Sequence, residues 1–398
     1  MASTKFAYPP FPATASPRLE PFLACKIIYQ KHTPTPVIMD MLHSVIEKAN
    51  KIDDHTIKKL WKFYIEGING PVGFVLDDVR NELYWDPQWF AIEDREVRRI
   101  TLITSILKPN GQKYKPSEAC RIAFFRLLDS NASKFPGSLE WSDQPRDMTP
   151  LHLVPGEKSI DITGIDIPLA ARGLLGVLTV GVHLNVYQVK EEYGKETIDR
   201  IWVAHRAKGP GYSYPGMLDQ IVAGGVDSSD EFDGSLAPCL TLAREAMEEA
   251  GFRIDIKSQR VFFDDRETDP VYVGSVERVS DIAYFDCKDS CAGDLNKNHL
   301  EPGLRIIYDL KIVIPNFCPQ GKEPGIESFE AMDVPQVRRS LKANSWKPNC
   351  GLVMLDFMVR HGLVTKENDS RFDDIKNGLR RPLPFLFAEE YNEIIKGW

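Results

Sequence analysis

The chain has 398 residues, 49 Lys and Arg against 57 Asp and Glu, a formal net charge of −8 and a pI near 5.6. That acidic balance argues against nucleic acid or an anionic membrane as a bulk partner, since phosphate surfaces call for basic patches. The length predicts two or three domains, and an apolar fraction of 43% is ample for their cores.

The first stretch, MASTKFAYPPFPATASPRLEPF, is rich in Pro, Ala and Ser and has no apolar segment, so residues 1–20 read as a flexible tail. The seven cysteines are odd in number and scattered, which suggests reduced thiols and a cytoplasmic protein. The tail leaves a mitochondrial address open. Cys287 and Cys291 are the closest pair, and no second pair lies near enough to complete a zinc site.

Residues 21–155 read as a smaller accessory α+β domain. Helical patterns such as MDMLHSVIEKANK and SEACRIAFFRLLDSNASKF are separated by extended pieces such as PVGFVLDDV. Trp85 and Trp89, in LYWDPQWF, are expected in its core, and the same rings could stack on a flat ligand. The polar tract DQPRDMTPLHLVPGEKS reads as a connector.

Residues 156–365 form the second expected domain. LLGVLTVGVHLNVYQV is too short for a membrane span and alternates from Leu178, which predicts a strand with one wet face. RIWVAHRA and GLRIIYDLKIVI are further strands. QIVAGGV is a strand ending in Gly224 and Gly225, where the backbone can approach a ligand closely. A helix follows through LAREAMEEAGF, with Ser235 as its expected cap, Pro238 in its first turn and Gly251 as its left-handed stop. Glu245, Glu248 and Glu249 stand at i, i+3 and i+4, so they share a face and repel by a few tenths of a kcal/mol per pair. The negative end of the helix dipole adds to the repulsion, and Arg244 offsets only part of it. A later helix spans NCGLVMLDFMVRHG, with Asn349 as cap and Gly362 as stop. Residues 366–398 read as a C-terminal arm that packs through Pro384, Phe385 and Phe387.

The segment Arg244-Glu245-Ala246-Met247-Glu248-Glu249-Ala250-Gly251-Phe252 resembles the second half of the Nudix box, which reads Arg-Glu-aliphatic-x-Glu-Glu-x-Gly-aliphatic. The first half departs from that pattern. Gly225 lies about five residues further from the arginine than the box glycine does, and Leu236 stands where the family has a glutamate. Asp227, Asp230, Glu231 and Asp233 lie in the longer loop and are candidates to stand in. The resemblance implies a Nudix α/β/α sandwich with a mixed sheet, beside the smaller accessory domain. It also implies a diphosphate hydrolase that uses Mg²⁺, with Mn²⁺ as a substitute. Glu245, Glu248 and Glu249 would be the metal ligands and catalytic carboxylates, the Gly224 carbonyl a further ligand, and Arg244 the residue that orients a glutamate.

A narrower resemblance covers roughly residues 20–365. VGVHLNVYQV, IWVAHRAKGPGYSYPGMLDQIVAGG, IESFEAM and WKPNCGLVMLDFMVRHG are similar to segments of the thiamin-pyrophosphokinase-related Nudix branch of fungi and plants. That branch implies a small-molecule substrate, a thiamin-diphosphate-type compound, oxidised or damaged analogues above all, cleaved to monophosphate and phosphate. The alternatives are another nucleoside diphosphate derivative, such as ADP-ribose or a dinucleotide, or a weakly catalytic ligand-binding module. Arg206, Lys208, Tyr214, Gly225 and Glu327 are the candidate substrate contacts, and the expected assembly is a monomer or a homodimer.

Overall fold

The computed structural model describes residues 42–385, apart from 95–96, 135–147, 153–163, 210, 233–234, 264–269, 294–296, 316 and 322. The expected tail, Asp233 and Phe387 lie outside the described residues, as does most of the expected connector. The chain clusters into two units, residues 1–38 and 39–398, and only the second contains described residues.

In the N-terminal part, helices α1 (His43–Ala49), α2 (Asp54–Ile57), α3 (Asp77–Glu82) and α4 (Pro116–Ser130) accompany four strands, β1 (Trp61–Ile65), β2 (Gly73–Val75), β3 (Phe90–Glu93) and β4 (Arg99–Leu102). The strands form a sheet in the order β2-β1-β4-β3, parallel only between β1 and β4. β1 alternates buried and outward residues, and Phe63 meets Phe124 of α4 across an apolar core of their own. Trp85 and Trp89 are buried in that core. A two-stranded pair, β5 (Met148–Pro150) with β6 (Asp166–Pro168), and the short helix α5 (Leu169–Arg172) lie against α4, and Ala171 of α5 belongs to the same core.

The main sheet has nine strands. They are β7 (Thr179–Glu192), β8 (Lys195–Arg206), β9 (Leu218–Asp219), β10 (Val222–Gly225), β13 (Phe252–Asp255), β14 (Arg260–Phe263), β15 (Val271–Cys287), β16 (Leu300–Lys311) and β17 (Ile326–Met332). The order is β13-β14-β15-β16-β7-β8-β17, with β10 paired to β7 and β9 to β8. Only β16 and β7 run parallel. β7 and β8 are a hairpin whose turn places Tyr193 (φ 54°) and Gly194 (φ 75°) in left-handed conformations, the geometry of a two-residue turn matched to strand twist. The strands β11 (Glu231–Phe232) and β12 (Ser235–Leu236) pair only with each other.

Strand alternation sets the two faces. Val180, Val182, Leu184 and Val186 of β7 pack with Ile306, Tyr308 and Leu310 of β16 and with Leu242, Ala246 and Ala250 of α6 (Pro238–Ala250). On the other face Ile201, Val203 and Ile307 meet α7 (Val334–Lys342), α8 (Pro348–Arg360), α9 (Phe372–Gly378) and α1. Helices therefore cover both sides of a mixed sheet, the α/β/α sandwich expected from the sequence. No helix among the described residues is long and apolar enough to cross a membrane.

Three local expectations are corrected. The second face of β7 is not wet: His183 and Asn185 are buried, because α8 covers them, and they bond to Gln220 (2.9 Å) and Asp309 (3.0 Å). Ser235 does not cap α6, because its backbone pairs in the small hairpin; Ala237 is the N-cap, with Pro238 starting the helix. Asn349 lies inside α8, which Lys347 caps, and Pro348 rather than Asn349 begins it. Gly251 does stop α6 at φ 70°, and Gly362, at φ 68°, follows the end of α8. In the C-terminal arm Phe385 is buried and meets Phe74 edge-on at 5.4 Å.

Candidate active site

The site is built where β10 and α6 meet. Leu242, Ala246 and Ala250 bury one side of α6, which turns Glu245 and Glu249 toward β10 and leaves Glu248 in solvent. Glu249 Oε2 accepts a hydrogen bond from the Ala223 backbone N–H at 2.7 Å. Glu245 presses on Gly224 so closely that a Cβ there would lie 2.1 Å from its carboxyl carbon. This contact explains the first glycine of the pair: a larger residue would displace a carboxylate.

Burial raises the pKa of both Glu245 and Glu249. For Glu245, Arg244 opposes the rise, while Glu248 and Glu323 add to it. For Glu249 the rise is larger; the Ala223 N–H opposes it, and Glu245, Asp219 and Glu323 add to it. Glu323, in the loop before β17, therefore lies within electrostatic reach of both carboxylates. Sequence reasoning missed it, because nothing in the local pattern marks a loop acid about 75 residues from the helix.

Arg244 is held from two sides. Its Nη1 donates to Glu245 Oε1 at 2.9 Å, while Nη2 and Nε donate to the two oxygens of Asp230 at 2.9 and 3.3 Å. The Asp230 bond is the largest influence keeping the guanidinium charged. Thr241 Oγ1 also donates to Asp230, at 2.8 Å. The longer loop thus has a physical account. Its extra length folds into the β11–β12 hairpin, closed at the base by Ala237 N–H bonding the Asp230 carbonyl at 2.8 Å. Across that base Asp230 comes beside α6, where it bonds Thr241 and Arg244.

Behind Gly224 and Gly225 opens a cavity of about 310 Å³. Arg172, Arg206, Lys288, Arg305 and Lys347 line it, and Glu301 is the one carboxylate among the lining residues. His183 and His299 also line it, and burial first, then neighbouring cations, pushes them down to about 3 and about 4, so both are neutral. Burial pushes the Glu301 carboxyl up, but Lys288, Arg305 and Arg172 outweigh it and hold the group well below its usual value.

Of the expected substrate contacts, Arg206, Tyr214 and Gly225 line this cavity. Arg206 spends its guanidinium on Asp219 (2.9 Å) and the Ser213 carbonyl (2.8 Å). Tyr214 is buried, with φ 54°. Lys208 and Glu327 are not among the lining residues; they are exposed and paired at 3.4 Å. Arg172 of α5, Lys288 just after β15, Arg305 of β16 and Lys347 at the start of α8 escaped sequence reasoning, because their convergence depends on the fold rather than on spacing.

The donor set around Glu245, Glu248, Glu249 and the Gly224 carbonyl is all oxygen, and its clustered carboxylates need a cation; both features suit a hard ion such as Mg²⁺. His183, Asp219 and Cys350 also bring potential ligand atoms within 4.8 Å of one another. The Asp219 oxygens there are already engaged by Arg206, Cys350 and the Gln220 N–H, so that trio reads as packing.

No family model matches the chain. It is 29% identical over 217 residues to an uncharacterized protein of Saccharomyces cerevisiae, covering 54% of this chain and 56% of that one. It is 28% identical over 205 residues to Nudix hydrolase 20, chloroplastic, of Arabidopsis thaliana, covering 51% and 45%. The chain thus spans about half the length of the curated relatives it matches. Among solved structures, the NUDIX domain of Shewanella oneidensis NrtR complexed with ADP ribose aligns with a TM-score of 0.29 at 9% identity, over 47% of this chain and 90% of that one. The chain is thus similar, over about half of its length, to curated Nudix hydrolases.

Proposed function

We propose that the chain hydrolyses the diphosphate of a small organic substrate with the help of a divalent cation, Mg²⁺ in the first place. The observation that carries this reading is the meeting of half-buried Glu245 with Gly224, and of half-buried Glu249 with the Ala223 N–H, beside a cation-lined cavity. Glu245, Glu248, Glu249 and the Gly224 carbonyl would hold the ion. When bound, it would neutralise phosphate oxygens and lower the pKa of a water. Arg244, fixed by Asp230, keeps the Glu245 carboxylate aimed at β10. Glu249, whose pKa burial raises, or Glu323 would take a proton from the attacking water. Water oxygen bonds to phosphorus and the bridging P–O bond breaks, which yields a monophosphate and inorganic phosphate.

The substrate we propose is a thiamin-diphosphate-type compound. Support comes from the segments similar to the thiamin-related branch, while carboxylates and cations recognise only the diphosphate. A cytoplasmic location belongs to the same proposal. The deciding experiment offers thiamin diphosphate, oxythiamin diphosphate, ADP-ribose and NADH at equal concentration with Mg²⁺ and measures product formation. The fastest turnover is expected on a thiamin compound. Faster cleavage of ADP-ribose would move the assignment to nucleoside diphosphate derivatives, and cleavage of none would reduce the chain to a binding module.

A further inference from the structure

The basic cavity holds more positive charge than its carboxylates balance. Lys288 Nζ and Arg305 Nη2 share Glu301, at 3.0 and 2.6 Å. Arg206 and Lys347 share Asp219, at 2.9 and 3.7 Å. Arg305 is further pinned by the Thr179 carbonyl at 3.0 Å. Two carboxylates therefore serve four cations. Arg172 is the fifth, and among the described residues its guanidinium makes no hydrogen bond or ion pair. Like charges gathered in a partly closed space repel strongly, and such a cluster persists at lower cost when an anion binds between its members. A guanidinium is the side chain best shaped to meet two oxygens of one phosphate.

We propose that Arg172, Lys288, Arg305 and Lys347 form an anion subsite that takes a phosphate group of the substrate, with Arg172 as its anchor. The inference rests on the diphosphate reading and extends it, because none of these residues belongs to the glutamate helix or its loop. Arg172 ends α5, whose Ala171 is part of the accessory core. The apolar core that α5 shares with α4 thereby helps to position the subsite. The arrangement divides the labour: carboxylates on one side of Gly224 and Gly225, cations on the other, and the substrate's phosphates spanning the glycine pair.

The test uses the full chain and inorganic pyrophosphate in EDTA, so binding is read without metal or turnover. Calorimetry is expected to show binding that Arg172→Met weakens at least tenfold, with an unchanged melting temperature. In steady-state assays with Mg²⁺ the same variant is expected to raise KM at least tenfold while kcat stays within about threefold, and Arg172→Lys is expected to restore part of the loss. Should Arg172→Met not fold, Lys347→Met provides the same readings. Pyrophosphate binding equal to wild type in a folded variant overturns the subsite. A protein that binds pyrophosphate through Arg172 yet cleaves no diphosphate keeps the subsite and loses the hydrolase reading.

Discussion

Arg244 donates to both carboxylate oxygens of Asp230, at 2.9 and 3.3 Å, while its third nitrogen reaches Glu245. One guanidinium thus ties the loop ahead of α6 to the carboxylate that presses on Gly224. Asp230→Ala is expected to leave Arg244 and Thr241 without their acceptor and to cost about 1–3 kcal/mol of stability. Urea denaturation measures that loss. Turnover is expected to fall about tenfold, because Glu245 loses its alignment, and Asp230→Asn is expected to recover part of both. Unchanged stability and rate in the alanine variant would separate this pair from the site.

Glu248→Gln and Glu249→Gln are each expected to lower Mg²⁺-dependent turnover at least about a hundredfold, consistent with the loss of an ion that supplies several kcal/mol in the transition state. The two differ in stability. Glu248 is exposed, so its variant keeps the wild-type melting temperature. Gln at 249 retains an acceptor for the Ala223 N–H and removes a half-buried carboxylate that neighbouring acids crowd, so it melts at or above wild type. Near-normal turnover in both variants would refute their role.

Stability without metal is expected to fall with rising pH through the contribution of Glu245 and Glu249. Each has its folded-state pKa raised above the usual 4.5, so the native state binds more protons than the unfolded state once pH passes that value. The slope of unfolding free energy with pH is then negative across the window from about 4.5 up to the raised values. Mg²⁺ is expected to reverse the trend, because it replaces those protons. Melting curves in EDTA and in Mg²⁺, compared with Glu249→Gln, isolate the effect. An identical pH slope in wild type and variant contradicts it.

Gly224→Ala tests the close approach directly. The new Cβ would lie 2.1 Å from the Glu245 carboxyl carbon, so that side chain must swing away. Because its flexible end yields, the expected loss of stability is small, but turnover is expected to drop at least tenfold with the displaced carboxylate. Gly225→Ala meets nothing within 4 Å and serves as the control.

The sandwich was legible because its signals are local. The apolar run of β7, the glycine pair and the helix stop at Gly251 each act within a few residues, although the alternation in β7 misled about a wet face. The glutamate helix was legible for the same reason. Ser235 misled because a capping residue and a hairpin residue look alike until a partner strand is known. Asp230 could not be singled out from Asp227 and Glu231, because its role depends on a hairpin base closing. Arg172 lies on α5, Lys288 in the loop after β15 and Arg305 on β16; only the fold brings them to one cavity, as it alone brings the loop acid Glu323 within reach of Glu245 and Glu249.

The parallel pairing of β7 with β16 joins Thr179 to Gly303. Every other partner of β7 follows it closely in the chain: β8 through a two-residue turn, β10 within about forty residues. During synthesis, at about 5–20 residues per second, roughly 6–25 seconds separate the arrival of β7 from that of β16. In that interval the hairpin, the glycine pair and the glutamate helix have all been made, while Glu301 and Arg305 arrive only with β16. The glutamate helix and Arg172 are therefore early products of translation, and Glu301, Arg305, Glu323 and Lys347 late ones. Until β16 docks, β7 presents an open apolar edge, which makes that interval the chain's period of greatest exposure to aggregation.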